Sequence, residues 1–250
     1  MRRAWLAAGL ALLPLLAGAQ EAAQTRVGIA AERSQLDHGL APWTELVVGF
    51  ERSSGPRQSV QATLLEARRF GVTDTQAGAA FALPLSPQLT ASGEASFSPS
   101  HRVLARYAAG ALLQYEFAPA WLAHGGARYT RYDTATVQRG TLALEHYFGD
   151  FSAMAGWYPA RALGVHAEAF DLRAAWYYAD RSFAGITLAR GDEATQTGPG
   201  TVVLAATRSV ALTGRHALGS NLSLTWSLLR VRQGSFYTRQ GASAGVQVSF

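Results

Sequence analysis

Phe236-Tyr-Thr-Arg-Gln-Gly-Ala-Ser-Ala-Gly-Val-Gln-Val-Ser-Phe250 is the stretch that decides the fold. From Ala242 the even positions are Ala242, Ala244, Val246, Val248 and Phe250, and the odd ones Ser243, Gly245, Gln247 and Ser249. That alternation is the two-residue period of a strand with one apolar and one polar face. It suits the edge of a soluble sandwich or the closing strand of an outer-membrane barrel. A strand that closes on a terminal aromatic, Phe250, favours the barrel. The rest of the chain decides between the two.

The N-terminus sets the compartment. Arg2 and Arg3 precede an apolar run from Leu6 to Leu16, and Ala17-Gly18-Ala19 forms a small-residue cleavage site. Residues 1–19 therefore read as a secretory signal peptide and residues 20–250 as one outer-membrane β-barrel domain, exported in a Gram-negative bacterium. No later run is long enough for a spanning helix. The cysteine count is 0, which removes disulfides, thiolate metal sites and a cysteine nucleophile. Net charge is +5, or 5 − 2 = +3 without Arg2 and Arg3. No run of basic residues occurs, so nucleic acid is not an expected partner.

Working back from the closing strand, the chain divides into segments of about ten residues, the length of a tilted membrane strand. Leu89, Ala91, Gly93, Ala95 and Phe97 alternate with Thr90, Ser92, Glu94 and Ser96. Leu222, Leu224, Trp226 and Leu228 alternate with Ser223, Thr225 and Ser227. Tight joints at Ser53–Pro56, Ser86-Pro87, Ala118–Ala120, Gly149-Asp150, Ala179-Asp180 and Gly219–Asn221 read as periplasmic turns. The stretches Ser34–Pro42, Pro99–Leu104, Pro159–Gly164 and Gly191–Gly200 read as longer outer loops. The expected fold is all-β, a transmembrane antiparallel up-and-down barrel of about 14 strands; merging or splitting a pair gives 12 or 16.

Aromatic residues collect at segment ends. Trp43, Phe70, Phe97, Tyr107, Tyr129, Trp157 and Tyr158 are assigned to an outer girdle. Phe50, Tyr115, Phe117, Trp121, Tyr147, Phe151, Trp176 and Phe250 are assigned to a periplasmic one. A sandwich would hold them mid-strand, in its core.

Turning the polar faces inward gives the candidate lumen residues Glu45, Glu51, Arg69, Glu94, Glu116, His124, Arg128, Arg139, Glu145, Asp171, Arg173, Arg215 and Arg239. Acids and arginines are nearly balanced. One reading is a network of cross-strand pairs that braces the sheet; the other is a polar lining that a solute passes. Fourteen strands enclose more room than the eight whose side chains fill a barrel. No cofactor is implied, and no catalytic constellation stands out. There is no G-x-S-x-G elbow, although His38, His101 and His166 near the outer rim leave a lipid-modifying enzyme as an alternative. Asp37-His38 and Gly191-Asp192-Glu193 could hold a hard cation, but solvated loop charge is the commoner role.

The non-periodic residues carry a resemblance. They are Trp43, Arg69-Phe70-Gly71 with Asp74, Ser98-Pro99-Ser100-His101 with Leu104, Tyr132, and Glu145 with Tyr147-Phe148-Gly149. Tyr177-Tyr178 with Asp180-Arg181-Ser182, Gly191-Asp192-Glu193 and Phe250 complete the pattern. In this order and spacing they resemble the YaiO family of outer-membrane β-barrel proteins, over about residues 25–250. The resemblance implies work on envelope polysaccharide, as a conduit or an accessory. A barrel without a conducting pore, structural or partner-binding, is the alternative. The implied partners are outer-membrane lipids, the barrel-assembly machinery, and a polysaccharide or periplasmic export protein, and the resemblance implies that Phe250 is the assembly signal which that machinery reads.

Overall fold

The computed structural model describes residues 23–55 and 57–250; the expected signal peptide (1–19) and Pro56 of the first turn lie outside the described residues. The strands are β1 (Gln24–Leu36), β2 (Trp43–Gly55), β3 (Gln58–Arg69), β4 (Val72–Pro84), β5 (Leu89–Phe97), β6 (Tyr107–Ala118) and β7 (Trp121–Arg131). They continue as β8 (Thr136–Phe148), β9 (Phe151–Ala162), β10 (Val165–Ala179), β11 (Ser182–Gly198), β12 (Thr201–Ala217), β13 (Leu222–Gln233) and β14 (Tyr237–Ser249). Each pairs antiparallel with its sequence neighbours, and β1 pairs with β14, so these fourteen form a closed barrel.

Closure follows from the alternation. Val27 lies opposite Val248 and Ile29 opposite Val246, so both outward faces of the seam are apolar and neither strand is left as an edge. Phe250 continues the pairing, its amide donating to Thr25 O at 2.9 Å and its carbonyl accepting from Thr25 N at 2.8 Å. The outward residues form an apolar belt, with Leu64 at 64% and Leu172 at 60% exposure. In water such a surface is unfavourable at about 25 cal/mol per Å²; in hydrocarbon it is the required one. No helix among the described residues is long and apolar enough to cross a membrane.

The joints at the periplasmic end are tight, as expected. Two outer joints are tight as well, because Phe70-Gly71 and Leu163-Gly164 both take positive φ at their two central residues, the geometry that matches hairpin twist. The expected outer loops at Pro159–Gly164 and Gly191–Gly200 are therefore mostly strand. β11 and β12 instead run on past their neighbours as a long hairpin, since Ala194 to Gln196 pair with Leu204 to Val202. The aromatic girdles also need correction. Phe97, Tyr107, Tyr129 and Trp157 face outward, but Trp43 and Tyr158 turn inward and are nearly fully buried, and Tyr147 turns inward too. Inward parity in their strands outweighs their position at strand ends.

Candidate functional site

The structure places every candidate lumen residue on the inward side of its strand, and it joins most of them into three tiers. The middle tier is an arginine wall. Arg128 on β7 lies directly across from Arg139 on β8. Arg128 bonds Glu94 on β5 by passing over β6 at Gly110, where a Cβ would stand 3.2 Å from Glu94 Oε1. Arg139 stacks on the Tyr158 ring, its guanidinium 5.3 Å from the centroid. Tyr158 donates to Asp171 at 3.1 Å and accepts from Arg173 Nη2 at 3.0 Å, while Arg173 Nη2 also donates to Asp171 at 2.7 Å. Each cation thus gains a carboxylate or a ring, which offsets its desolvation.

Above this tier, packed rings and cations gather at the outer mouth. Trp43 lies between two guanidinium groups, Arg69 at 5.1 Å and Arg239 at 5.3 Å from its ring, with Phe70 and Tyr237 edge-on at 5.2 and 5.7 Å. Arg69 donates to Glu45 at 2.7 Å. The segment between β5 and β6 dips into the mouth, where Val103 and Leu104 are buried. Asp74, itself 0% exposed, accepts both of their amides at 2.6 and 3.1 Å. Arg69 Nη1 also donates to Val103 O at 3.3 Å. The tip of the β11–β12 hairpin folds onto this segment: Gly200 N and Gln196 Nε2 both donate to Arg102 O, at 2.8 and 3.0 Å. Tyr237 OH donates to Gln196 O at 2.8 Å, fixing the hairpin to β14. Two inward segments are therefore latched to each other at one carbonyl, at the outer end.

The periplasmic mouth is lined by rings. Tyr147, Tyr177 and Phe183 follow one another across β8, β10 and β11, with centroids 6.5 and 6.3 Å apart. The Arg215 guanidinium lies over Phe183 at 6.0 Å, and its Nε donates to Arg181 O at 2.8 Å. Tyr147 OH donates to Glu145 at 2.7 Å, whose other oxygen lies 3.0 Å from His124 Nε2. Glu51 pairs with Arg26 at 3.1 Å, and Glu116 accepts the Ala120 amide at 3.2 Å, bracing a turn.

The profile of the YaiO membrane β-barrel domain matches residues 24–196. The chain belongs to that family. Among solved structures, the translocator domain of the autotransporter NalP from Neisseria meningitidis is similar at 12% identity and a TM-score of 0.53, covering 100% of this chain and 94% of that one. A loop L8 deletion mutant of OmpT, an outer membrane protein of Vibrio cholerae, is similar at 10% identity and a TM-score of 0.52, covering 92% and 100%. At these identities the likeness shows the fold alone. A comparison with curated proteins gave no match. Architecture, family and apolar belt together make the chain an outer-membrane β-barrel.

Within this YaiO barrel the three outer histidines are not brought together. His38 pairs with Asp37 at 2.9 Å between β1 and β2, His101 with Asp133 at 2.8 Å between β5 and β6, and His166 is exposed on β10. No group of three metal-ligating side chains forms among the described residues. Sequence reasoning passed over Asp74, Trp43, Tyr147, Tyr158, Tyr177 and Phe183 as lumen groups. Asp74 shares strand parity with Gln76 and Gly78, opposite the apolar Ala77, Ala79 and Phe81, so its orientation was legible; its hold on residues thirty positions away was not.

Proposed function

We propose that this protein is a barrel of the envelope-polysaccharide apparatus that is closed at its outer mouth at rest and opens to pass an anionic saccharide outward. The observation that carries the reading is the latch, in which Asp74 holds the 98–106 segment inside the mouth and Arg102 O receives the β11–β12 hairpin. The order of the tiers supports the direction. A chain arriving from the periplasm meets the ring faces of Tyr147, Tyr177 and Phe183, on which sugars stack, and then the Arg128, Arg139 and Arg173 wall, which favours carboxylate or phosphate groups. The saccharide class itself rests on the family resemblance.

The density of ion pairs across the lumen favours a second reading, a braced barrel that binds partners and conducts nothing. Planar-bilayer recordings separate the two. The refolded protein should carry no steady current, and the double variant Asp74→Ala/Gln196→Ala should carry one that an acidic oligosaccharide blocks from the periplasmic side. A steady current in the unaltered protein overturns the closed resting state. Silence in both favours the second reading.

A further inference from the structure

The outward faces of β11, β12 and β13 carry four exposed arginines, Arg190, Arg208, Arg230 and Arg232. Register sets Arg190 beside Arg208 and Arg208 beside Arg232, on three consecutive strands. Arg230 stands two residues along β13 on the same face. Like charges side by side on neighbouring strands repel, and this arrangement differs from the lumen. There Arg26, Arg69, Arg128 and Arg173 each have a carboxylate. None of the four outward arginines has a hydrogen-bond or ion-pair partner among the described residues. The nearby acids do not supply one. Asp192 is two positions along β11 from Arg190, and Asp37 is engaged by the Thr238 amide at 2.7 Å and by His38 at 2.9 Å.

The level of this row in the membrane can be read from its continuation. Arg190 lies beside Phe170, and Phe170 beside Trp157, both exposed outward. Arg190, Arg208 and Arg232 stand 8, 9 and 10 residues from the periplasmic ends of their strands at Ser182, Ala217 and Leu222, about the length a tilted strand needs to cross the bilayer, which puts them at the headgroup level of the outer leaflet, since deeper positions penalise arginine steeply. Towards the hydrocarbon the same face continues with Val210, Leu212 and Leu228, all exposed. Beside the arginines, a groove of about 620 Å³ opens between β12, β13 and the start of β14, lined by Arg208, Arg230, Arg232, His38, Ser235 and Thr238. Three of the four arginines lie beyond the residues that match the family profile.

We propose that this face binds the phosphorylated sugar headgroup of an outer-leaflet glycolipid. The guanidinium groups of Arg208, Arg230 and Arg232 hold a phosphate in paired hydrogen bonds. The hydroxyls of Ser235 and Thr238 face its sugar, and the acyl chains lie along Val210, Leu212 and Leu228. The apolar strip directly below the cations selects a lipid over a free anion, because only a lipid satisfies both. The site is on the outside of the barrel and is independent of whether the lumen conducts.

The test uses the refolded barrel in detergent micelles, titrated with diphosphorylated lipid A, with the same lipid after dephosphorylation, and with inorganic phosphate. Heat-modified migration shows that each variant keeps its barrel. The double variant Arg208→Gln/Arg232→Gln should weaken binding of the phosphorylated lipid by roughly tenfold or more, the loss expected for charged hydrogen bonds to one phosphate. Arg52→Gln, an outward arginine at the periplasmic end, should leave it unchanged. Equal binding of the two lipids overturns the proposal, as does unchanged binding by the double variant. Inorganic phosphate binding as tightly as the lipid replaces the lipid with a soluble anion and overturns it too.

Discussion

At the scale of the residue, the lumen is governed by the cost of an unpaired charge in a low-dielectric space. Arg69 is 2% exposed and bonded to Glu45, so Arg69→Ala removes the paired cation from a buried carboxylate. The expected loss of stability is about 3–5 kcal/mol, measured by denaturant unfolding of the refolded barrel. Arg69→Lys should recover only part of it, since an ammonium cannot reproduce the two donors that Glu45 receives from Nε and Nη2. Gly110 tests the middle tier in another way. A side chain there would stand between Glu94 and Arg128, so Gly110→Val should break the pair without removing either charge. Its unfolding midpoint should fall by as much as that of Glu94→Gln; a smaller fall would show that the pair contributes little.

At the scale of the element, the segment from Ser98 to Arg106 and the β11–β12 hairpin act as one unit. Their polar attachment runs through Asp74 and through Arg102 O. Asp74→Ala should therefore expose the segment to limited proteolysis at Arg102 or Arg106 while the strands stay protected, because each barrel strand is bonded on both sides. Cleavage no faster than in the unaltered protein would show that Asp74 is not the anchor. The loop between β1 and β2 depends on pH. The Thr238 backbone amide, more than any other group, holds the Asp37 carboxyl below its ordinary range. A depressed folded pKa means that the anchoring is complete above the ordinary carboxylate value of about 4 and is lost as pH falls through the folded value. Amide exchange at Thr238 should accordingly speed up on acidification and stay unchanged between neutral and mildly alkaline pH once corrected for intrinsic exchange.

At the scale of the whole molecule, the barrel removes every sheet edge through the β1–β14 seam, which Phe250 extends by two backbone bonds to Thr25. The Phe250 ring is largely outside that seam, the residue being 70% exposed. Phe250→Ala keeps the backbone bonds and removes the ring. It should lower the yield of inserted protein in cells more than it lowers the unfolding midpoint of the refolded barrel. Equal outer-membrane levels of variant and unaltered protein would remove Phe250 as an assembly signal.

The alternation of Ala242 to Phe250, repeated through the chain, was enough to determine the barrel class and the face of the charged side chains, because a strand's period is two and a lipid-facing wall tolerates no slip, while it left 12 or 16 strands open beside the 14 that the closed barrel has. It placed Glu45, Arg69, Arg128 and Asp171 on the inner face before any contact was known. The girdle reading misplaced Trp43, Tyr147 and Tyr158, since an aromatic at a strand end suits a girdle or a lumen equally and only parity in the folded register distinguishes them. What tertiary structure alone decided is who meets whom across the interior. Asp74 finds Val103, Gln196 finds Arg102, and Arg208 comes to stand between Arg190 and Arg232. Those meetings depend on barrel curvature and on how far each strand runs, which local periodicity does not encode.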